Sequence, residues 1–389
     1  MNGGRIDTRV LARAAAVALL PLLGACSTLD AINPFAAKGG PKVAELQPFV
    51  ASAETRVVWS DSVGKAGSYV FSPAVVGDSV YAVDRDGVLK RFEAGKQVWR
   101  VKVGQAISAG VGASERVVVV GTPKGELLAF STADGSRLWS ARATSELLAP
   151  PVVADDLVIV RSGDNRLAAY AVEDGKRRWL YQRPLPPLSV RVAAAPLIAD
   201  RYVFAGFPGG KLVAVDLANG ALTWEGTVAI PKGVTELDRV ADITSTPVID
   251  GRQICAAAFQ GRVACFDLGN GSQMWARDIS SAAGLAIDKR YVYVSDDKGA
   301  VHALDRDSGA SIWKQDRLFL RQLTAPLSRR GLVAVADLQG VVHFLNRDDG
   351  AFAARVKTDG SPVVAPLQVG PDGIVVQTSD GGIYSIEMQ

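Results

Sequence analysis

Leu212-Val213-Ala214-Val215-Asp216, a turn ending at Gly220, and Trp224 four residues further on form a phrase that this chain repeats. Val263-Ala264-Cys265-Phe266-Asp267 leads in the same way to Gly271 and Trp275, and Val301-His302-Ala303-Leu304-Asp305 to Gly309 and Trp313. Each phrase reads as a short alternating strand, a polar turn with glycine where positive φ is wanted, and a second strand carrying the tryptophan. All seven tryptophans of the chain (Trp59, Trp99, Trp139, Trp179, Trp224, Trp275 and Trp313) stand on this ladder, at spacings of 40, 40, 40, 45, 51 and 38 residues. Six of them follow a glycine by four positions. A fixed period near 40 means one supersecondary unit copied many times, as in a solenoid or propeller.

Upstream of each phrase lies another pair of β-rich runs, such as Thr246-Pro247-Val248-Ile249 and Gln253 to Ala258 before the turn at Gln260-Gly261. Four strands per copy make a propeller blade. Six copies carry the whole glycine-to-tryptophan phrase; a seventh runs through Val342-His343-Phe344-Leu345 to Gly350 but has Ala354 at the tryptophan position. An eighth begins at Val364-Ala365-Pro366-Leu367 and stops after a third strand, Ile383 to Ile386. Arg56-Val57-Val58-Trp59-Ser60 is an outer strand with no blade of its own, and joining it to the last copy closes the ring and removes exposed edges. The expectation is an all-β, eight-bladed propeller over residues 53–389, or seven blades if the Ala354 copy is not one. The tryptophans are expected to pack between neighbouring sheets, each with an N–H to satisfy.

Residues 1–25 read as an address. Arg5, Arg9 and Arg13 precede a short apolar run from Ala14 to Leu23, and the stretch ends in Leu23-Gly24-Ala25-Cys26, which resembles the lipobox of bacterial lipoprotein signals. In that pattern Cys26 is acylated and becomes the mature N-terminus. Ser27, where an aspartate would retain the protein in the inner membrane, points to the outer membrane. Residues 26–52, rich in Ala, Gly, Lys and Pro, read as a flexible lipid-anchored tether that leaves the propeller in the periplasm. Cleavage removes three arginines and Asp7, so the charged residues go from 43 basic and 40 acidic to 40 and 39, and the net charge falls from +3 to +1. A surface so balanced offers nothing to a polyanion, and nucleic acid is not an expected partner.

Little chemistry is visible. His302 and His343 each stand three residues after a blade glycine, Gly299 and Gly340, without further ligands at metal-binding spacing. No nucleophile elbow, phosphate loop or zinc-protease helix occurs. Asp84, Asp134, Asp216, Asp267 and Asp305 recur inside the repeat turns, where they are expected to cap backbone N–H groups. Cys255 and Cys265 fall on successive strands of one blade, either as a cross-strand disulfide or as two buried thiols. The repeat is similar to that of pyrroloquinoline-quinone (PQQ) dehydrogenases, also eight-bladed propellers. That family carries an adjacent cysteine pair over its cofactor and long catalytic insertions, which are missing here. No catalytic residue, metal or cofactor is expected.

If the blades are scaffold, function belongs where they differ. From each tryptophan to the proline opening the next blade is 11 to 14 residues in regular copies, but 17 from Trp179 to Pro196 and 23 from Trp224 to Pro247. These consecutive loops emerge on one face. Pro184-Leu185-Pro186-Pro187-Leu188-Ser189-Val190-Arg191-Val192 sets apolar groups on a proline-stiffened segment, beside Leu237-Asp238-Arg239-Val240-Ala241-Asp242-Ile243-Thr244. Apolar side chains with an arginine and a carboxylate on adjacent rigid loops suit a protein-binding patch.

Lipobox, tether, propeller and these loops together resemble the BamB family, lipoproteins of the BAM machine that assembles outer-membrane β-barrels. The resemblance covers essentially the whole mature chain and is sharpest at Pro187-Leu188-Ser189-Val190-Arg191 and Arg239-Val240-Ala241-Asp242-Ile243-Thr244-Ser245-Thr246-Pro247. It implies a non-enzymatic scaffold at the periplasmic face of the outer membrane that docks on the POTRA domains of the barrel-forming subunit BamA and helps position nascent outer-membrane proteins. Leu188, Val190, Arg191 and Asp242 match the family's contact positions, with Asp242 orienting Arg191 or pairing with the partner. Thr244 stands where an aspartate is common, which weakens the acidic half of the patch. The competing expectations are a quinone-dependent dehydrogenase and a general envelope scaffold for another periplasmic protein.

Overall fold

The computed structural model describes residues 42–154, 156–184 and 186–388; Cys26 and the rest of the signal lie outside them, as does Leu185. A packed unit begins at Val43, and all its regular structure is β. Eight four-stranded antiparallel sheets follow one another, and in seven the strand order is the chain order. Blades 1 to 7 open at Ala74, Gly112, Val152, Leu197, Val248, Gly284 and Leu327. Blade 8 takes its three inner strands from Gln368–Met388 and its outer strand from Thr55–Ser62, which pairs along its length with Gly382–Met388. The ring is therefore eight-bladed and closed by the N-terminal strand.

The core is divided into eight slabs, one at each junction between neighbouring blades. Phe204, Leu212 and Trp224 of blade 4, for example, meet Ile254, Ala256 and Phe266 of blade 5, and Val80 and Phe92 of blade 1 meet Val375 and Ile383 of blade 8. Both faces of the second and third strands are covered in this way. Ser79–Val83 and Val117–Gly121 are consequently buried at every residue, and the third strands over most of their length, rather than alternating in and out.

The tryptophan ladder is the clamp between slabs. Each indole of one blade lies on the turn glycine of the next: Trp59 on Gly95, Trp139 on Gly175, Trp313 on Gly350. Those glycines hold φ near +70°, and a Cβ there would come within 2.7 Å of the indole or closer. From Trp99 to Trp313 the indole N–H is satisfied across the junction, for example Trp139 to the Val172 carbonyl at 2.6 Å and Trp313 to the Arg347 carbonyl at 2.8 Å. The turn aspartates act as expected: Asp84 accepts the Val88 amide at 2.8 Å and Asp305 the Ser308 amide at 2.8 Å.

Ala354, the one copy without tryptophan, sits at the seam. Blade 8 has no covalent turn between its third and outer strands, so blade 7 has no turn glycine to clamp. The incoming chain crosses here instead, with the Ser52 and Ala53 amides donating to the Ala353 carbonyl. Residues 43–53, part of the stretch whose composition reads as a loose tether, are in fact strapped to blades 6 and 7. Leu46 and Phe49 pack on the slab between those blades. Arg321 donates to the Ala44 carbonyl at 3.0 Å and Arg355 to the Gln47 carbonyl at 2.7 Å. Arg355 also stacks between the Phe49 and Phe352 rings. Cys255 and Cys265 face each other across two central strands of blade 5 and are joined, with Cα atoms 4.1 Å apart.

Candidate docking site

Up-and-down strand order puts the connections between blades, and the turns between second and third strands, on one face of the ring. Three consecutive connections meet there. The loop entering blade 3 carries Glu146, the loop entering blade 4 carries Leu188, Val190 and Arg191, and the loop entering blade 5 carries Asp242. Leu188 is 48% exposed. Arg191 is exposed, and its Nε donates to the Glu146 carboxylate at 3.1 Å. Val190 is half-buried.

Asp242 is different. Only 1% exposed, it accepts the Val190 amide at 2.7 Å with one carboxylate oxygen and the Gly209 amide at 3.0 Å with the other. Beside it lies Arg161, a buried guanidinium bonded to Asn165 Oδ1 at 2.7 Å and placed over the Phe207 ring. Burial lowers the Arg161 pKa to about 10, against the opposing pull of the Asp242 charge. Asp242 thus orients loop backbone rather than the Arg191 side chain. It ties the loop entering blade 4, the turn at Gly209 and its own loop into one body.

Inside the ring, the inner strands of all eight blades line a cavity of about 1110 Å³. Its wall is built of small apolar residues such as Ala74, Val153, Leu197 and Ile249, and Arg191 is the one charged residue among those described there. The two histidines are each engaged with an aspartate of their own blade, His302 with Asp296 and His343 with Asp337, both at 2.8 Å. No cluster of three or more metal-ligating side chains occurs among the described residues.

A family model described as outer membrane protein assembly factor BamB matches residues 85–315. The outer membrane protein assembly factor BamB of Bordetella pertussis is 42% identical over 348 residues, covering 89% of this chain and 90% of that protein. The chain belongs to the BamB family. A crystal structure of BamB from Moraxella catarrhalis superposes with a TM-score of 0.80 at 29% identity, over 86% of this chain and all of that one. The quinohemoprotein alcohol dehydrogenase of Comamonas testosteroni superposes with a TM-score of 0.70, over 85% of this chain and 76% of that one. Its identity is only 14%, so the likeness shows the propeller fold alone.

The structure keeps Leu188, Val190 and Arg191 on one loop, with Val190 and Arg191 reaching the wall of the central cavity and Asp242 bonded to the Val190 amide. Sequence reasoning missed Glu146, Arg161 and Phe207. Glu146 lies 45 residues from Arg191, and no local pattern marks the pair. Arg161 carried one usable signal, a charged residue at the end of an otherwise apolar strand, Leu157–Arg161.

Proposed function

We propose that this chain is a non-enzymatic scaffold of the outer-membrane protein assembly machinery, anchored at the periplasmic face of the outer membrane through acylated Cys26. It docks on the POTRA domains of BamA through Leu188, Val190 and Arg191, and so brings nascent outer-membrane β-barrel proteins and the barrel-forming subunit to one place. The observation that carries the reading is the pinned loop. One oxygen of a buried carboxylate holds the Val190 amide and the other ties that carboxylate to the Gly209 turn, while Leu188 beside it stands in solvent. A loop ordered before binding spends little entropy on docking. Arg191 is free to exchange partners, because its bond to Glu146 is an exposed ion pair of small net worth.

The test is binding of the full chain, purified in detergent, to the purified POTRA region from the same bacterium. Arg191→Glu is expected to weaken binding by roughly 2 kcal/mol or more, the scale of an interface hot spot, with an unchanged unfolding midpoint. Wild-type affinity in that variant would remove the patch from the proposal.

A further inference from the structure

The strap over residues 43–53 is fastened by an ionic cluster in blade 7, and one member of that cluster is a histidine. Arg321, Asp337 and His343 are all buried. Arg321 Nε donates to Asp337 Oδ2 at 2.6 Å, its Nη2 to Gln339 Oε1 at 2.8 Å and its Nη1 to the Ala44 carbonyl of the strap at 3.0 Å. Arg355 stands opposite His343 in register, on the outer strand of the blade. It donates from Nη1 to the Gln47 carbonyl at 2.7 Å and from Nε to His343 Nδ1 at 3.2 Å. Its guanidinium lies between Phe49 of the strap and Phe352 of the blade. The strap thus hangs on two arginines, and one of them rests on the imidazole.

That arrangement fixes the protonation of His343. A guanidinium only donates, so Nδ1 is the bare, accepting nitrogen and the proton sits on Nε2, which donates to Asp337 Oδ2 at 2.8 Å. A proton on Nδ1 turns that acceptor into a donor aimed at another donor. It also adds charge where two guanidiniums already face one carboxylate, and burial makes an unmatched charge costly. Arg321 is locked in the interior by Asp337 and Gln339, whereas Arg355 is half-buried at the rim and able to turn out to solvent. With it go the partner of the Gln47 carbonyl and one face of the Phe49 stack.

No other charge compensates at this point. The one ionisable side chain of the strap, Glu45, is exposed. Blade 6 meets the slab with apolar side chains and two tyrosines, Tyr291 and Tyr293, and the Tyr293 hydroxyl is held by Asp288 at 2.9 Å. Burial keeps His343 below 6.5 against the pull of Asp337, so the fastened form prevails at neutral pH. Burial would raise Asp337, but bonds from His343 and Arg321 bring it to about 2, and it keeps its charge throughout. The hold on the strap is complete above 6.5 and declines as pH falls below it, because the released form takes up the proton that the fastened form refuses. His302, at the same place in blade 6, also bonds an aspartate at 2.8 Å, but it has Lys314 rather than an arginine opposite it.

We propose that His343 is a proton-operated latch: its protonation turns Arg355 out and frees the middle of the strap, Leu46 to Val50, while the ring stays folded. The loose chain ahead of the ring then lengthens by those residues, roughly 3.3–3.6 Å each at full extension. The latch lies on blades 6 and 7 and does not depend on the docking loops.

The test is a nitroxide spin label on Val50→Cys, a position 91% exposed, in the full chain in detergent. Cys255 and Cys265 are joined and do not take the label, and the unsubstituted chain treated alike serves as blank. The expected line shape is immobilised at about pH 7.5, with a mobile component that grows severalfold between 6.5 and about pH 4 while tryptophan fluorescence stays native. His343→Gln accepts from Arg355 and donates to Asp337 without titrating, and is expected to stay immobilised throughout. Arg355→Leu leaves the Gln47 carbonyl without its donor, and is expected to show the mobile component at every pH. A wild-type strap that stays immobilised until the tryptophan signal reports unfolding overturns the latch. So does release of His343→Gln at the wild-type pH, and so does an Arg355→Leu strap that is immobilised at neutral pH or still released by acid.

Discussion

Replacing Asp242 by alanine separates a structural pin from a contact residue. The side chain is almost wholly buried, and each carboxylate oxygen holds one backbone amide, Val190 at 2.7 Å and Gly209 at 3.0 Å. Hydrogen bonds to a charged group are worth about 1.5–3 kcal/mol each, and alanine removes two. It also removes the carboxylate charge that partly offsets the burial of the Arg161 guanidinium. The two bonds share one carboxylate and are not fully additive, so about 3–5 kcal/mol is expected for the region. Asp242→Asn keeps one acceptor and points an amide at the other donor, and is expected to fall between. The assay is denaturant unfolding of the full chain followed by tryptophan fluorescence, alongside partner binding. An Asp242→Ala chain that unfolds at the wild-type midpoint would refute the reasoning.

The remaining expectations concern the seam and the staple. His343 is held neutral, because burial pushes its pKa below 6.5 against the pull of Asp337. The unfolded chain takes up a proton below about pH 6.5 that the native chain refuses, so stability falls as pH drops below that value. His343→Gln should flatten this slope between about pH 7.5 and about pH 5, and an unchanged slope would exclude His343 as its source. Asp337 works in a lower window. Burial would raise its pKa, but bonds from His343 and Arg321 outweigh that and bring it to about 2. Its contribution is complete above 3.8 and is lost as pH falls through about 2, measurable as a shift in acid unfolding on Asp337→Asn. Cys255 and Cys265 close a loop with a sequence separation of 10, for which chain entropy gives about 2–3 kcal/mol. Cys255→Ala/Cys265→Ala should lower the denaturant midpoint accordingly.

The ring was legible because its parts are local. A glycine at positive φ and a tryptophan four residues on belong to one turn, and the period between copies counts the blades without knowledge of any contact. The missing tryptophan was read only as the ground for a seven-blade alternative, whereas in the structure Ala354 marks the blade beside the seam. The strands themselves were read less well. Leu212-Val213-Ala214-Val215 is apolar at every position because blades cover both its faces, and alternation is the wrong expectation there. The strap failed for a related reason. Residues 43–53 have the composition of a linker, and what orders them is Arg321 and Arg355, close to 280 and 310 residues away.

At the docking site, Leu188 and Arg191 stood out because irregular loop lengths and exposed apolar groups are visible in one dimension. The work of Asp242 was not. Its partners lie 52 and 33 residues distant, and only burial distinguishes a pin from a contact. The pair of cysteines illustrates the same limit: their strands were clear, but the register that sets Cys255 opposite Cys265 was not.

The central claim is that the face bearing Leu188 meets the barrel-assembly subunit. A photo-crosslinking amino acid at Leu188 in the full chain, expressed in its own bacterium, tests it directly, with Asp307 on a turn of the opposite face as control. The account predicts an adduct with BamA from position 188 and none from position 307. Adducts from neither position, or equally from both, would contradict it.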